Sequence, residues 1–224
     1  MDMISDEGAF RLPRPANAPR KIKMGVQGHF TGSLVVGDDE GYEIEFESHT
    51  ERNVALVTLA RPNVAALESQ VPFKWINPAG APSTHFFDFR VLYSDGTRAV
   101  LIVKNGRKAA QAGFRAEMAH LASQVTSDLA DRVSLVTEKH IDPVELYNAE
   151  LIHSVRRPDP EPDAAVLHVI AKLAGAARIG DIVHAAGFSG RGFRAVVRLI
   201  RKQELELVSH ERIGRGSFVR RRSV

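Results

Sequence analysis

The sequence predicts a mixed α/β domain, a sheet flanked by helices, followed by a small basic helical module. Three observations lead there. Residues 86–104 form two apolar runs hinged on Ser94-Asp95-Gly96, and Asp-Gly between such runs marks an antiparallel hairpin because Gly supplies positive φ without strain. Around the hairpin, apolar residues recur at strand spacing in some stretches and helical spacing in others, the pattern of an α/β layer structure. Finally, residues 163–224 hold twelve Lys/Arg against five Asp/Glu, net +7, whereas residues 1–162 carry a net −4.

These bounds exclude several classes. With 224 residues, 44% of them hydrophobic, the chain can build a sizeable core. It contains no run of 18 apolar residues and no apolar leader, so a soluble, unexported protein without a membrane partner is expected. Zero cysteines exclude disulfides and thiolate metal sites, in keeping with a reducing cytoplasm. The nine histidines lack ligand-like spacing and read as structural or solvated.

In chain order, residues 1–23 read as a flexible basic arm, with Arg11, Arg14, Arg20, Lys21 and Lys23 among three prolines and no apolar period. The body, 24–155, opens with short strands between Phe30 and Phe46 around a Gly/Asp turn. Ser48 and Glu51 then form a capping box for a helix that Pro62 stops, which gives Glu51 a structural explanation of its own. Residues 66–76 are a strand, 77–82 a Pro/Gly loop, and the hairpin follows. Phe114, Met118 and Leu121 predict a helix over 109–124, and 133–137 a further strand. Asp142-Pro143 supplies an N-cap and a first-turn proline for a helix reaching about His153.

Closing the hairpin brings Asp88 and Lys104 to one end of the sheet. A carboxylate and an ammonium so placed suit phosphodiester chemistry, the acid holding a divalent cation and the lysine facing the phosphate, although strand-end charges are more often merely solvated. The residues Phe46-Glu47-Ser48 with Glu51-Arg52, Glu68-Ser69-Gln70, Asp88-Phe89-Arg90-Val91, Gly96, Val103-Lys104, Val136-Thr137-Glu138 and Asn148 together resemble the N-terminal domain of TnsA-type transposon endonucleases. That family has a restriction-endonuclease-like, PD-(D/E)xK fold. The resemblance implies Glu51 and Asp88 as ligands of Mg²⁺, and Lys104 as the third catalytic group. Two departures stand out: Phe86-Phe87 replaces Thr-Pro before the aspartate, and Ile102 replaces the Gln or Glu two residues before the lysine. Isoleucine cannot ligate a metal, so a degenerate nuclease centre is expected.

Arg156 to Pro162 has three alternating prolines and reads as a semi-rigid linker. Beyond it come three helical patterns and a glycine-tipped hairpin, the order of a winged helix-turn-helix domain over 163–224. Arg191, Arg194, Arg198, Arg201 and Lys202 are placed on the exposed face of the third helix, with Arg212, Arg215 and Arg220 on the hairpin, as DNA-contacting residues. The function expected is a regulatory or architectural DNA-binding protein of the nucleoid. The alternative is a Mg²⁺-dependent endonuclease subunit of a transposition system. Duplex DNA is the partner; a transposase, an ATPase subunit or a second copy of the chain remain open as protein partners.

Overall fold

The computed structural model describes residues 12–16, 30–38 and 40–222. The chain is a mixed α/β protein whose central feature is a four-stranded mixed sheet flanked by helices. Strands β1 (Gly32–Val36) and β2 (Tyr42–Phe46) pair as an antiparallel hairpin closed at Gly37 and Gly41. Gly41, at φ +79°, is obligatory: a Cβ there would lie 2.4 Å from the Val36 carbonyl oxygen. Arg11, Arg20, Lys21 and Lys23 of the expected arm lie outside the described residues. Arg14 is seated rather than loose, its N–H donating to Gly41 O and its carbonyl accepting from Glu43 N, both at 2.9 Å.

Helix α1 (His49–Ala60) starts at Ser48, whose Oγ accepts from Glu51 N at 3.1 Å. Strands β3 (Val64–Ile76), β4 (Pro82–Tyr93) and β5 (Arg98–Val103) form an antiparallel meander. The expected turn closes β4–β5: Gly96 sits at φ +85° and Asp95 accepts from Thr97 N at 2.9 Å. A crossover carrying α2 (Gly106–Ala109) and α3 (Ala112–Ala122) returns to β6 (Arg132–Val136), parallel to β5. The helix expected over 109–124 is α3, and a short additional helix, α2, precedes it, capped by the Asn105 side chain through Lys108 N.

β5 is buried on both faces, as its unbroken apolar run requires. Ala99, Leu101 and Val103 join α1, the β1–β2 hairpin and Ala149 of α4 (Pro143–Ser154) in one core. Val100 and Ile102 join Phe87, Met118 and Leu121 in a second core under α3.

The third core belongs to the C-terminal elements: α5 (Pro160–Ile170), β7 (Ala177–Arg178), α6 (Ile179–Ala186), α7 (Ser189–Arg201), β8 (Leu205–Leu207) and β9 (Phe218–Arg221), with strand order β7-β9-β8. α5 begins inside the proline stretch read as linker. Pro160 and Pro162 lie in its first turn, where an N–H has no helical partner and proline therefore costs nothing. Ile152 and Val155, at the end of α4, also enter this core, so the two halves of the chain pack together.

Arg198 corrects the expected exposed face of α7. It is buried, 4% exposed, and its guanidinium holds Asp163 of α5 at 2.6 and 2.8 Å while Nη1 donates to Val155 O at 3.4 Å. Ala195 to Leu199 are all buried, so only the first two turns of α7 open to solvent. Removing one partner of a buried ion pair leaves the other charge stranded. Asp163→Ala is therefore expected to cost about 3–5 kcal/mol, with Asp163→Leu/Arg198→Met recovering most of the loss, as read by urea denaturation.

Candidate nuclease-like centre and basic surface

The sheet brings Asp88, Lys104 and Glu51 together. β3 and β4 pair as Ser69↔Phe89 and then Val71↔Phe87, so Gln70 and Asp88 lie between those pairs. Gln70 is fully buried in the left-handed region at φ +54°, a conformation uncommon for a non-glycine residue. Both strands switch faces there: Leu67 and Phe89 join the α1 core, whereas Val71 and Phe87 join the α3 core. On β3 the switch coincides with the left-handed dihedral of Gln70, which sequence periodicity does not record.

The β4–β5 ladder ends at Phe89↔Leu101, and past it the Asp88 carboxylate replaces a backbone acceptor. Its Oδ2 accepts from Val103 N at 2.7 Å and lies 3.6 Å from Lys104 Nζ. Asp88 thus lies in the middle of the twelve-residue β4, where the pairing with β5 stops, rather than at an end of the sheet. Burial raises its pKa above the ordinary carboxylate range, against the opposing Lys104 charge and the Val103 N–H. Glu51 is 5% exposed, and its two oxygens accept from Ser48 Oγ at 2.9 Å and Glu47 N at 2.7 Å. Burial, then the neighbouring Asp88 charge, raises its pKa too. His85 lies in the same region, held down to about 4 by burial and by the Lys104 charge; its Nε2 is buried without a hydrogen-bond partner among the described residues.

A hard divalent cation takes about six oxygens in near-octahedral array. Here both Glu51 oxygens are committed to the helix cap and Asp88 Oδ2 to Val103 and Lys104. Among the described residues no group of three or more His, Asp or Glu is arranged to hold a metal. Ile102 is 1% exposed within the α3 core, so a glutamate at that position would enter an apolar cluster. These donors do not fit the Mg²⁺ that the resemblance implies.

The basic residues of the C-terminal half are divided by their partners. Arg191 is tied to Asp159 at 2.7 and 2.9 Å and to Glu161 at 3.2 Å, Arg201 to Asp38, and Arg220 to Glu206 at 2.6 Å. Arg212 lies 5.0 Å over the Tyr147 ring. Arg194, Lys202 and Arg215 are exposed and make no ion pair among the described residues. The hairpin loop is clamped to α4: Asn148 donates to Glu211 O at 2.9 Å and accepts from Ile213 N at 2.8 Å. Asn148 thereby acquires a role, joining the halves, that its place in the sequence did not disclose. No family model matches the chain, and none of the curated proteins matches it. Among the described residues no helix is long and apolar enough to cross a membrane.

Because the fold favours the protonated forms of Glu51 and Asp88, the stability they contribute is full below the ordinary carboxylate range and is lost as pH rises through their raised values. His85 works the other way, its neutral form being favoured and its contribution lost as pH falls towards about 4. Asp88→Asn keeps an acceptor for Val103 N–H without titrating. Denaturation between about pH 4 and pH 8 should show a shallower fall of stability for Asp88→Asn than for the parent protein. Asp88→Ala leaves that N–H unpaired and should cost about 1–3 kcal/mol.

Proposed function

We propose that the protein binds duplex DNA through a C-terminal winged helix, on a restriction-endonuclease-like, TnsA-type domain whose centre does not cut. The observation that carries this reading is the open start of α7. Gly187, at φ +79°, ends α6 and turns the chain within two residues into α7, whose first turns leave Gly190 and Arg194 exposed. In helix-turn-helix proteins the N-terminal residues of the second helix reach base edges. Helix, strand, two helices and a two-stranded hairpin, with the first strand beside the last, is the winged-helix order. Arg194, Lys202 and Arg215 supply unneutralised cations for phosphates or guanine edges.

The donor set supports non-cleavage. Both Glu51 oxygens accept hydrogen bonds in the α1 cap and Asp88 Oδ2 holds the Val103 N–H beside Lys104. That leaves Asp88 Oδ1 as the one oxygen of these two carboxylates without such a bond among the described residues, too few free donors for a hard divalent cation. The role that fits is regulatory or architectural, on nucleoid DNA. A second reading, a Mg²⁺-dependent endonuclease working with a transposase or ATPase subunit, draws on the convergence of Glu51, Asp88 and Lys104. It requires Glu51 to leave its cap.

Gel shift and plasmid nicking with the full-length protein separate the two. Duplex binding without nicking in Mg²⁺ or Mn²⁺ is expected; nicking that Asp88→Asn abolishes would establish the second reading. Arg194→Ala with Arg215→Ala should weaken duplex binding at least about tenfold and lower the log–log salt slope by nearly two if both meet phosphates. Unchanged binding would exclude this surface as the contact.

A further inference from the structure

A cavity of about 180 Å³ lies where the α/β domain meets α7. Val36, Leu56 and Ile152, contributed by β1, α1 and α4, form an apolar part of its walls. Three nitrogen-bearing side chains line it as well: His153, Arg156 and Arg201. No carboxylate is among its lining residues; Asp38, next to the lining Gly37, pairs with Arg201, and its charge also reaches Arg156 without supplying an acceptor for Nε. Arg156 Nε is buried with no hydrogen-bond partner among the described residues. A buried guanidinium N–H left unpaired is costly, and natural folds seldom tolerate one without a ligand or ordered water to accept from it. The surroundings agree: burial, then the charges of Arg157 and Arg201, lower the Arg156 pKa, and His153 is held at about 4, so it is a neutral donor at pH 7.

The geometry points to a binding site for a small organic carboxylate: an apolar body of ring size against Val36, Leu56 and Ile152, and an anionic head received by Arg156 and Arg201 with His153 beside them. Size sets the class, since an apolar cavity of about 150 Å³ accommodates benzene. Charge sets the head group, since two guanidiniums line the site and a carboxylate accepts from the Arg156 N–H more strongly than a neutral carbonyl does. The site draws on β1, β2, α1, β3, α4 and α7 together, so its occupant bridges the two halves beside the Arg201–Asp38 pair. The inference does not depend on DNA binding.

Calorimetric titration of the full-length protein with benzoate, benzamide and inorganic phosphate tests it. Benzoate is expected to bind in the micromolar-to-millimolar range usual for ligands of its size and to raise Tm with concentration. Benzamide lacks the charge and phosphate lacks the apolar body, so each should bind at least about tenfold more weakly. Arg156→Gln should weaken benzoate binding by a similar factor with circular dichroism unchanged. Should that variant not fold, Ala60→Phe, which fills the apolar side of the cavity, carries the same expectation. Absence of benzoate binding, equal binding of benzamide or phosphate, or indifference to both substitutions would overturn the proposal.

Discussion

The Asp88 carboxylate governs how the α/β domain is built. It takes the Val103 N–H at the point where the β4–β5 ladder stops, opposite the left-handed Gln70. Both strands change faces at those two positions, so that a single hairpin feeds side chains to the core beneath α1 on one side of them and to the core beneath α3 on the other. A buried N–H cannot go unpaired cheaply, and an acidic side chain is here the acceptor that pairs it. The same fact limits chemistry. A carboxylate serving as a piece of backbone has one oxygen left, and that oxygen belongs to a group whose charged form burial already disfavours. Most of the carboxylate oxygens at this centre therefore already serve the architecture of the sheet and the helix cap.

A second dependence joins the halves. Arg198 reaches from α7 to Asp163 on α5 and to the carbonyl of Val155 behind α4, so one guanidinium ties three segments. Asn148 fixes the hairpin loop to α4 through two backbone bonds, and Ile152 and Val155 share the C-terminal core. Burying this pair is poor evidence of extra stability, because desolvation offsets much of the attraction. What the pair supplies is geometry: any other packing of α7 would strand a charge.

Much of this was legible in the sequence wherever a local rule acts alone. Ser48 with Glu51, Asp142 with Pro143, and Asp95-Gly96 each write a cap or a turn in nearby residues, and each cap or turn forms there, although Glu51 closes its side of the box on Glu47 N and Ser48 Oγ rather than on Ser48 N. The proline stretch misled because three prolines were weighed as breakers, although two fall in a first helical turn where their missing N–H groups have no partners to lose. Arg198 misled for a different reason. At helical spacing from Arg194 and Arg201 it extends a cationic stripe, and only the approach of α5, set thirty-five residues earlier in the chain, turns its position inward. Gln70 left no compositional trace. Periodicity records which face a residue takes in a regular strand, not where a strand reverses its faces.

Counting arginines consequently overstates the cationic surface. Seven excess positive charges in residues 163–224 suggest a broad polyanion footprint, yet Arg191, Arg198, Arg201 and Arg220 are neutralised by carboxylates, three of which belong to residues before 163: Asp38, Asp159 and Glu161. The acidic balance of the first 162 residues is thus partly spent on the basic balance of the rest. A counterion is released on DNA binding only where a phosphate replaces it, and a cation already holding a carboxylate must first give that partner up. The cations without an ion pair among the described residues are spread out instead: Lys172 after α5, Arg194 in α7, Lys202 at its end, Arg212 and Arg215 in the hairpin loop, and Arg221 and Arg222 at and after β9. Pairing, rather than number, decides which arginines are available, and it leaves Arg194 on the open first turns of α7 and Arg215 in the hairpin loop.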